Sequence, residues 1–107
     1  MNADVVAIST DSKFSHKAWA TRDLPGVKYA LLSDTTQAIS KAYGVLLESK
    51  GIALRGTFIV DPKGVLQWSS VNDLSTGRSI GEIIRVLQGL QSGANCPVNW
   101  TKGQATL

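Results

Sequence analysis

The sequence predicts an α/β fold built on a sheet of mixed strand direction, with helices flanking the sheet. Short apolar runs rich in β-branched residues alternate along the chain with segments of helical character, which is typical of parallel strands joined by helices. Two further apolar runs are separated only by Asp61-Pro62-Lys63-Gly64, a turn sequence that indicates an antiparallel hairpin. An amphipathic stretch after the hairpin predicts one more helix.

The chain begins with a predicted strand followed by a helix. Residues 4–9 form a short β-branched run, the pattern of a strand that is buried on both faces. Asp11 or Ser12 can cap the next helix, which is predicted over residues 12–21. Its inner side is expected to carry Phe14, Ala18 and Trp19. Leu24-Pro25-Gly26 ends this helix.

A second strand and helix are predicted next. Residues 29–32 form the strand, and Asp34-Thr35-Thr36-Gln37 fits a capping box that opens a helix through about Ala42. Gly44 and Gly51 then bound a loop or irregular turn.

The second half of the chain gives the firmest pattern. Strands are predicted over residues 57–60 and 65–68, on either side of the Asp-Pro-Lys-Gly turn. Ser79 and Glu82 form another capping box, which opens a helix that ends near Gly93. Its apolar face consists of Ile80, Ile83, Ile84, Leu87 and Leu90. We therefore expect a partial α/β core over residues 1–93 and a polar tail over residues 94–107.

Composition and charge exclude several functional classes. The net charge is +3, but the eleven Lys and Arg residues are scattered and do not alternate with aromatic residues. We expect a dispersed basic surface and no nucleic-acid partner. One His and one Cys rule out an intramolecular disulfide and argue against a metal cluster. No apolar run approaches the roughly 20 residues that span a bilayer, so no membrane partner is expected and the predicted location is cytoplasmic.

Three residues are candidates for chemistry on local grounds. Cys96 lies in a segment containing Gly and Pro beyond the last helix, where a functional and an incidental role are equally compatible with its surroundings. Arg55 precedes an apolar strand; it either protects a strand edge or anchors a thiolate or an oxyanion. Arg78 opposes the dipole of the helix that follows it, which hints at a further role, although a solvent-facing arginine is the commoner outcome.

Several segments, in this order, resemble the typical two-cysteine peroxiredoxins of the alkyl hydroperoxide reductase C type. The similar segments are residues 8–19, 54–61, 71–74 running into 77–79, and 96–100. The resemblance covers essentially the whole chain.

The resemblance implies a thioredoxin-like fold and a thiol peroxidase that reduces hydrogen peroxide and alkyl hydroperoxides without a cofactor. Cys96 matches the resolving cysteine, which forms an intersubunit disulfide with the peroxidatic cysteine. Arg55 matches the arginine that holds the peroxidatic thiolate and polarises the peroxide, and Arg78 resembles a second arginine of that network. The implied reductant is thioredoxin or a flavoprotein disulfide reductase.

The resemblance also implies a homodimer or decamer that assembles through a sheet edge and through helix contacts. The matching interface positions are Phe14, Ser15, His16, Trp19, Trp68 and Val71. From the residues alone, a Trp at helical spacing such as Trp19 is more often a core or interface residue than a catalytic one.

The largest departure of the chain from the family pattern is at its N-terminus. The motif Pro-x-x-x-Thr/Ser-x-x-Cys, with the peroxidatic cysteine, would lie upstream of Met1, and so would the N-terminal elements and the strand at the centre of the sheet between residues 4–9 and 57–60. We expect this chain to be inactive alone. It could be a cut product, a truncated product that pairs those two strands directly, or a remnant that assembles with its own copies. The alternative function is a non-catalytic, oligomerising or holdase-like module.

Overall fold

The computed structural model describes residues 2–23, 26 and 28–107, and the chain divides into two compact units, residues 1–54 and 55–107. The elements, in chain order, are β1 (Val6–Ser9), α1 (Lys13–Arg22), β2 (Ala30–Ser33), α2 (Ala38–Ala42), β3 (Leu46–Leu47), β4 (Ile52–Ala53), β5 (Arg55–Val60), β6 (Leu66–Asn72) and α3 (Ile80–Ser92). The predicted α/β class is confirmed. The single mixed sheet is not formed, because the described strands make three separate two-stranded sheets.

The first unit contains the predicted parallel strand pair. β1 pairs with β2 in parallel, from Val6 opposite Ala30 to Ser9 opposite Ser33. The predicted burial of the first strand on both faces is wrong, since the side chains of Val6 and Ile8 are 53% and 42% exposed. A two-stranded sheet with a helix on one face leaves its other face open, and only the alternate residues of β1 and β2 are half-buried.

Helix α1 is capped as predicted, but it turns a different face inward. The Ser12 hydroxyl accepts a hydrogen bond from the Ser15 amide at 3.1 Å. Phe14, Ala18 and Trp19, expected on the inner side, are all exposed. His16 is the buried residue of this helix, because serine hydroxyls of β1 and β2 satisfy its ring nitrogens. Of the predicted Leu24-Pro25-Gly26 break, Leu24 and Pro25 lie outside the described residues.

Helix α2 starts later than the predicted capping box. Gln37 adopts a left-handed conformation with φ of 66° and makes no side-chain cap, so the helix begins at Ala38. Asp34 caps it from further back: its carboxylate accepts hydrogen bonds from the amides of Ile39 at 3.0 Å and Ser40 at 2.7 Å. Burial works against the charged form of Asp34, but these hydrogen bonds outweigh burial and lower its pKa.

The predicted loop between Gly44 and Gly51 contains a minimal antiparallel hairpin. Leu46 pairs with Ala53 and Leu47 with Ile52. Strands of two residues are too short to show a period in the sequence, which explains why they were not predicted. Gly51 takes φ of +65° in the connecting turn, a conformation that favours glycine.

The second unit opens with the predicted hairpin, and both strands are longer than expected. β5 and β6 are antiparallel, from Arg55 opposite Asn72 to Val60 opposite Leu66. In the turn, the Asp61 carboxylate accepts hydrogen bonds from the amides of Lys63 and Val65, each at 2.9 Å. The hydrogen bond from the Val65 amide is the main reason why the pKa of Asp61 is lowered, and the side-chain amide of Gln67 adds to the effect.

Helix α3 is confirmed at both ends. The Ser79 hydroxyl accepts a hydrogen bond from the Glu82 amide at 3.3 Å, and Gly93, at φ of 68°, ends the helix. Ile83 and Leu87 of its apolar face are half-buried, whereas Ile80, Ile84 and Leu90 are exposed. None of the helices in the described ranges is long and apolar enough to cross a membrane.

The strand pairings test one explanation for the missing central strand. A truncated chain could close its sheet by pairing its first strand directly with the first strand of the hairpin. In the structure, β1 pairs with β2 and β5 pairs with β6, so the expected direct pairing is not formed.

Candidate functional site: two arginines and a cysteine

The first part of the candidate site is the open end of the β5–β6 hairpin. Arg55 begins β5 opposite Asn72, the last residue of β6. The Arg55 Nε donates a hydrogen bond to the Leu74 carbonyl at 2.8 Å, and the Asn72 side-chain amide donates to the Gly77 carbonyl at 2.8 Å. These bonds fold the loop over residues 73–79 back onto the hairpin.

Arg78 closes the same loop from its other end. Its Nε donates a hydrogen bond to the Thr57 hydroxyl at 3.0 Å, and its Nη2 donates to the Gly56 carbonyl at 3.0 Å. The loop therefore brings Arg55 and Arg78, which are 23 residues apart in sequence, to one end of the hairpin.

The two guanidinium groups are exposed and electrostatically uncompensated. Neither forms an ion pair with a carboxylate among residues 2–23, 26 and 28–107. An arginine presents five N–H donors. Arg55 uses one of them and Arg78 uses two in the hydrogen bonds above, which leaves donors on both side chains for an anion. The arrangement suits a thiolate or a polarised oxygen better than a neutral ligand.

The second part of the site surrounds Cys96. This half-buried thiol lies 3.6 Å from the Ser92 hydroxyl, and it points its S–H to the Ala94 carbonyl at 3.7 Å. It lines a cavity of about 370 Å³ together with Gly89 of α3 and Trp100, which is only 4% exposed. Neither Arg55 nor Arg78 forms a hydrogen bond to Cys96 within the described part of the chain.

Arg85 is a functional candidate that the sequence did not reveal. It lines the same cavity as Cys96, and it donates a hydrogen bond through Nη1 to the Trp100 carbonyl at 3.0 Å. Hydrogen bonds to the Glu82 carboxylate raise the pKa of Arg85 against the opposing effect of burial, and the negative charge of that carboxylate contributes further. Lys102 is the nearest cation to Cys96 in sequence, but α3 and the reversal after Gly93 bring a residue eleven positions away to the thiol.

The predicted interface residues differ in exposure. Phe14 and Trp19 are 74% and 49% exposed, and Ser15 and Val71 are also exposed, whereas Trp68 is half-buried. His16 is only 7% exposed and lies against Ser9 and Ser33 within the first unit. The interface assignment stays a prediction for all six residues.

Comparison with known proteins identifies the family. The model of the AhpC/TSA family matches residues 1–69, which is more than half of the chain. The chain belongs to the AhpC/TSA family. Its place among the typical two-cysteine peroxiredoxins agrees with the resemblance found in the sequence.

Curated relatives in this family match the whole chain. The human mitochondrial thioredoxin-dependent peroxide reductase is 48% identical over 116 residues, which cover all of this chain and 45% of the relative. The chloroplastic 2-Cys peroxiredoxin BAS1 of Spinacia oleracea is 45% identical over 116 residues, which cover 44% of that protein. The chain thus spans about half the length of these peroxiredoxins.

Solved peroxiredoxin structures share the fold. The reduced 2-Cys peroxiredoxin of Plasmodium vivax superposes with a TM-score of 0.91 at 38% identity, covering 98% of this chain and 58% of that one. AhpC of Mycobacterium tuberculosis gives a TM-score of 0.82 at 40% identity, covering 92% of this chain and 56% of that one. The thioredoxin-like peroxiredoxin fold predicted from the sequence is therefore confirmed for the part of it that the chain contains.

Proposed function

We propose that this chain works in an antioxidant thiol peroxidase that reduces hydrogen peroxide and alkyl hydroperoxides, and that Cys96 is its resolving cysteine. The observation that carries the proposal is the position of Cys96, the one cysteine of a peroxiredoxin chain, on a cavity beside the cation Arg85. The name of the human relative supports a peroxide as substrate and thioredoxin as reductant. A flavoprotein disulfide reductase is the alternative electron donor.

The proposed reaction needs a second thiol from outside these 107 residues. The peroxidatic thiolate attacks one peroxide oxygen, the O–O bond breaks, and the sulfur becomes a sulfenic acid while water or an alcohol leaves. The Cys96 thiol then attacks the sulfenic sulfur; an S–S bond forms, and the hydroxyl group leaves as water with the thiol proton. Two electrons and two protons from the dithiol of the reductant restore both thiols.

Arg55 and Arg78 are proposed to act in the first of these steps. Their guanidinium groups lie at one end of the hairpin with free donors and no carboxylate partner among the described residues. A cation at that place favours the thiolate over the thiol and stabilises the charge that develops on the leaving peroxide oxygen. The folded loop over residues 73–79 fixes both side chains before the substrate binds.

Assembly is proposed to use two surfaces. The exposed residues Phe14, Ser15 and Trp19 would form a helix contact, and the buried His16 would hold α1 in place behind it. Trp68 and Val71 lie on β6, which pairs with β5 on one side, and its other edge would meet a second copy. These surfaces would build the homodimer or decamer that the family resemblance implies.

A chimeric enzyme tests the proposal. Residues 1–107 are joined to the part of the Plasmodium vivax peroxiredoxin that this chain does not match, and peroxide consumption is followed with thioredoxin as reductant. Cys96→Ser is expected to abolish turnover while leaving the first, stoichiometric reduction of peroxide intact. Arg55→Gln is expected to slow that first reduction by about a hundredfold to a thousandfold. Full turnover in the Cys96→Ser chimera would refute the resolving role.

A second candidate is a non-catalytic, oligomerising or holdase-like module. One observation favours it: Val45 and Trp100 are the buried hydrophobic residues in the described part of the chain, whereas Phe14, Ile80 and Val98 are largely exposed. Light scattering of a heat-aggregating client protein tests this alternative. Suppression of aggregation that persists in Cys96→Ser, together with an inactive chimera, would favour the module over the peroxidase.

A further inference from the structure

We propose that Arg85 is a positioning residue: it fastens the segment that carries Cys96 to α3 and so limits how readily Cys96 reaches a second sulfur atom. This inference rests on the proposed function in one respect, namely that Cys96 is the cysteine that must move. The contacts that support it are independent of that role.

The guanidinium group of Arg85 is held on two sides. Nε and Nη2 donate hydrogen bonds to the two carboxylate oxygens of Glu82, at 2.8 and 3.0 Å, one helical turn earlier. Nη1 donates to the Trp100 carbonyl at 3.0 Å. Because the guanidinium group is planar and rigid, the two bonds to Glu82 fix the direction in which Nη1 points. Glu82 is itself tied to the start of the helix, since its amide donates to the Ser79 hydroxyl.

The segment that Arg85 holds is closed on itself. The Leu107 amide donates a hydrogen bond to the Asn95 carbonyl at 2.8 Å, which joins the two ends of the segment over residues 95–107. Within it, the Trp100 indole donates to the Gln104 carbonyl at 3.1 Å. A loop with its own internal hydrogen bonds can leave α3 as one body, so its docking depends on the contacts that cross to the helix.

The polar crossing contacts differ in strength. Cys96 and Ser92 are 3.6 Å apart through a weak sulfur contact. The bond from Arg85 has a charged donor, is part-buried, and meets the segment at its buried tryptophan. Hydrogen bonds to charged groups are the stronger class, so the bond from Arg85 adds to the docking that burial of Trp100 provides.

Docking of residues 95–107 on α3 opposes the formation of a disulfide by Cys96. A disulfide requires the two Cα atoms to approach within about 4.4–6.8 Å. Docked Cys96 is half-buried, and its sulfur lies close to Gly89 of α3 beside the cavity. Release of the segment from Arg85 therefore sets the fraction of time in which Cys96 can react with a bulky partner.

The test measures the reactivity of Cys96 in the chain itself. The rate of Cys96 alkylation by iodoacetamide, a neutral reagent, is taken at its high-pH plateau, where the thiol is fully ionised and loss of a nearby cation no longer changes the fraction of thiolate. This rate is compared with amide hydrogen exchange in residues 95–107 and in α3. Arg85→Gln is expected to speed both alkylation and exchange of the segment by about tenfold, with exchange of the α3 amides unchanged. Arg85→Lys keeps the charge and can reach one acceptor, so it is expected to recover part of the difference. Glu82→Gln leaves Arg85 in place but loosens its orientation, and a smaller rise in the same direction is expected.

Arg22→Gln is the matched control, because it removes an exposed arginine that pairs only with its neighbour Asp23 among the described residues. Unchanged alkylation in Arg85→Gln with α3 intact would overturn the proposal. So would an equal rise in Arg22→Gln, or equal acceleration of exchange in α3 and in the segment. None of these measurements uses peroxide turnover, so an inactive chimera would count against the proposed function without touching the role of Arg85.

Discussion

Gly89 lies directly against Cys96: a methyl group placed on the Gly89 Cα would come within 3.7 Å of the Cys96 sulfur, and equally close to the Trp100 ring. Both are ordinary contact distances, so α3 has room for a small side chain at this position. The absence of a side chain leaves the cysteine segment less tightly packed than the space allows.

Gly89→Ala is therefore expected to stabilise the chain and to slow Cys96. Alanine removes the entropic cost of glycine in a helix, which is worth about 0.5–1 kcal/mol in the free energy of unfolding. The added methyl contact is expected to slow iodoacetamide alkylation of Cys96 by about threefold. Gly81→Ala is the control, since a methyl group there has no neighbour within 4 Å. Equal alkylation rates in the two variants would show that the contact does not restrain Cys96.

Thr57 is expected to affect the rate of peroxide reduction by holding the Arg78 side chain in place. Thr57→Val keeps the shape of the side chain but removes the hydroxyl that accepts from the Arg78 Nε. With one of its two hydrogen bonds lost, Arg78 is less well placed, and the rate of peroxide reduction by the chimera should fall about tenfold. Thr76→Val, in the loop but not bonded to either arginine among the described residues, should keep the original rate. A normal rate in Thr57→Val would exclude this positioning role.

Asp61 is expected to make stability depend on acid pH. Its pKa is lowered in the folded chain, so the unfolded chain binds the proton more readily. The stabilisation is present in full above the ordinary aspartate range of about 4 and is lost as the pH falls through the lower, folded value. Asp61→Asn should thus lose less thermal stability than the unmodified chain on acidification. Parallel acid profiles for the two proteins would contradict this account of the turn.

The exposed side of α1 is expected to hold copies of the chain together. Trp19→Glu places a charge on the proposed helix contact, and the molar mass measured by light scattering after gel filtration should fall. Lys17→Glu is the control: it changes the net charge of the same helix by two units, against one unit for Trp19→Glu, but removes no apolar side chain. It should leave the molar mass unchanged. If Trp19→Glu assembles like the unmodified chain, the contact lies elsewhere.

The sequence correctly predicted the elements that begin or end at residues typical of a turn or a helix cap. The Asp61–Gly64 turn and the caps of α3 at Ser79 and Gly93 were found because each uses residues that stabilise one local geometry. The start of α2 was missed, since Gln37 takes a left-handed conformation that no residue pattern announces.

Tertiary contacts were the other source of error. The helical spacing of Phe14, Ala18 and Trp19 indicates that they share one apolar face of α1. It does not say whether another element of the same chain packs on that face. His16 faces inward because two serines from different strands meet it there. In the same way, Arg85 reaches the Cys96 cavity only through a helix and a chain reversal, so its place could not be read from spacing.

The most direct test of the resolving role of Cys96 is its reaction with a sulfenic acid, followed by intact-mass measurement. A family relative whose own resolving cysteine is replaced by serine is oxidised to the sulfenic acid with one equivalent of peroxide and is then mixed with this chain. We predict a disulfide-linked heterodimer whose mass is that of the sulfenic-acid form of the relative plus this chain, less one water. It should be absent with Cys96→Ser and reversed by thioredoxin. If the sulfenic acid persists beside unmodified Cys96, the assignment of Cys96 as a resolving cysteine is wrong.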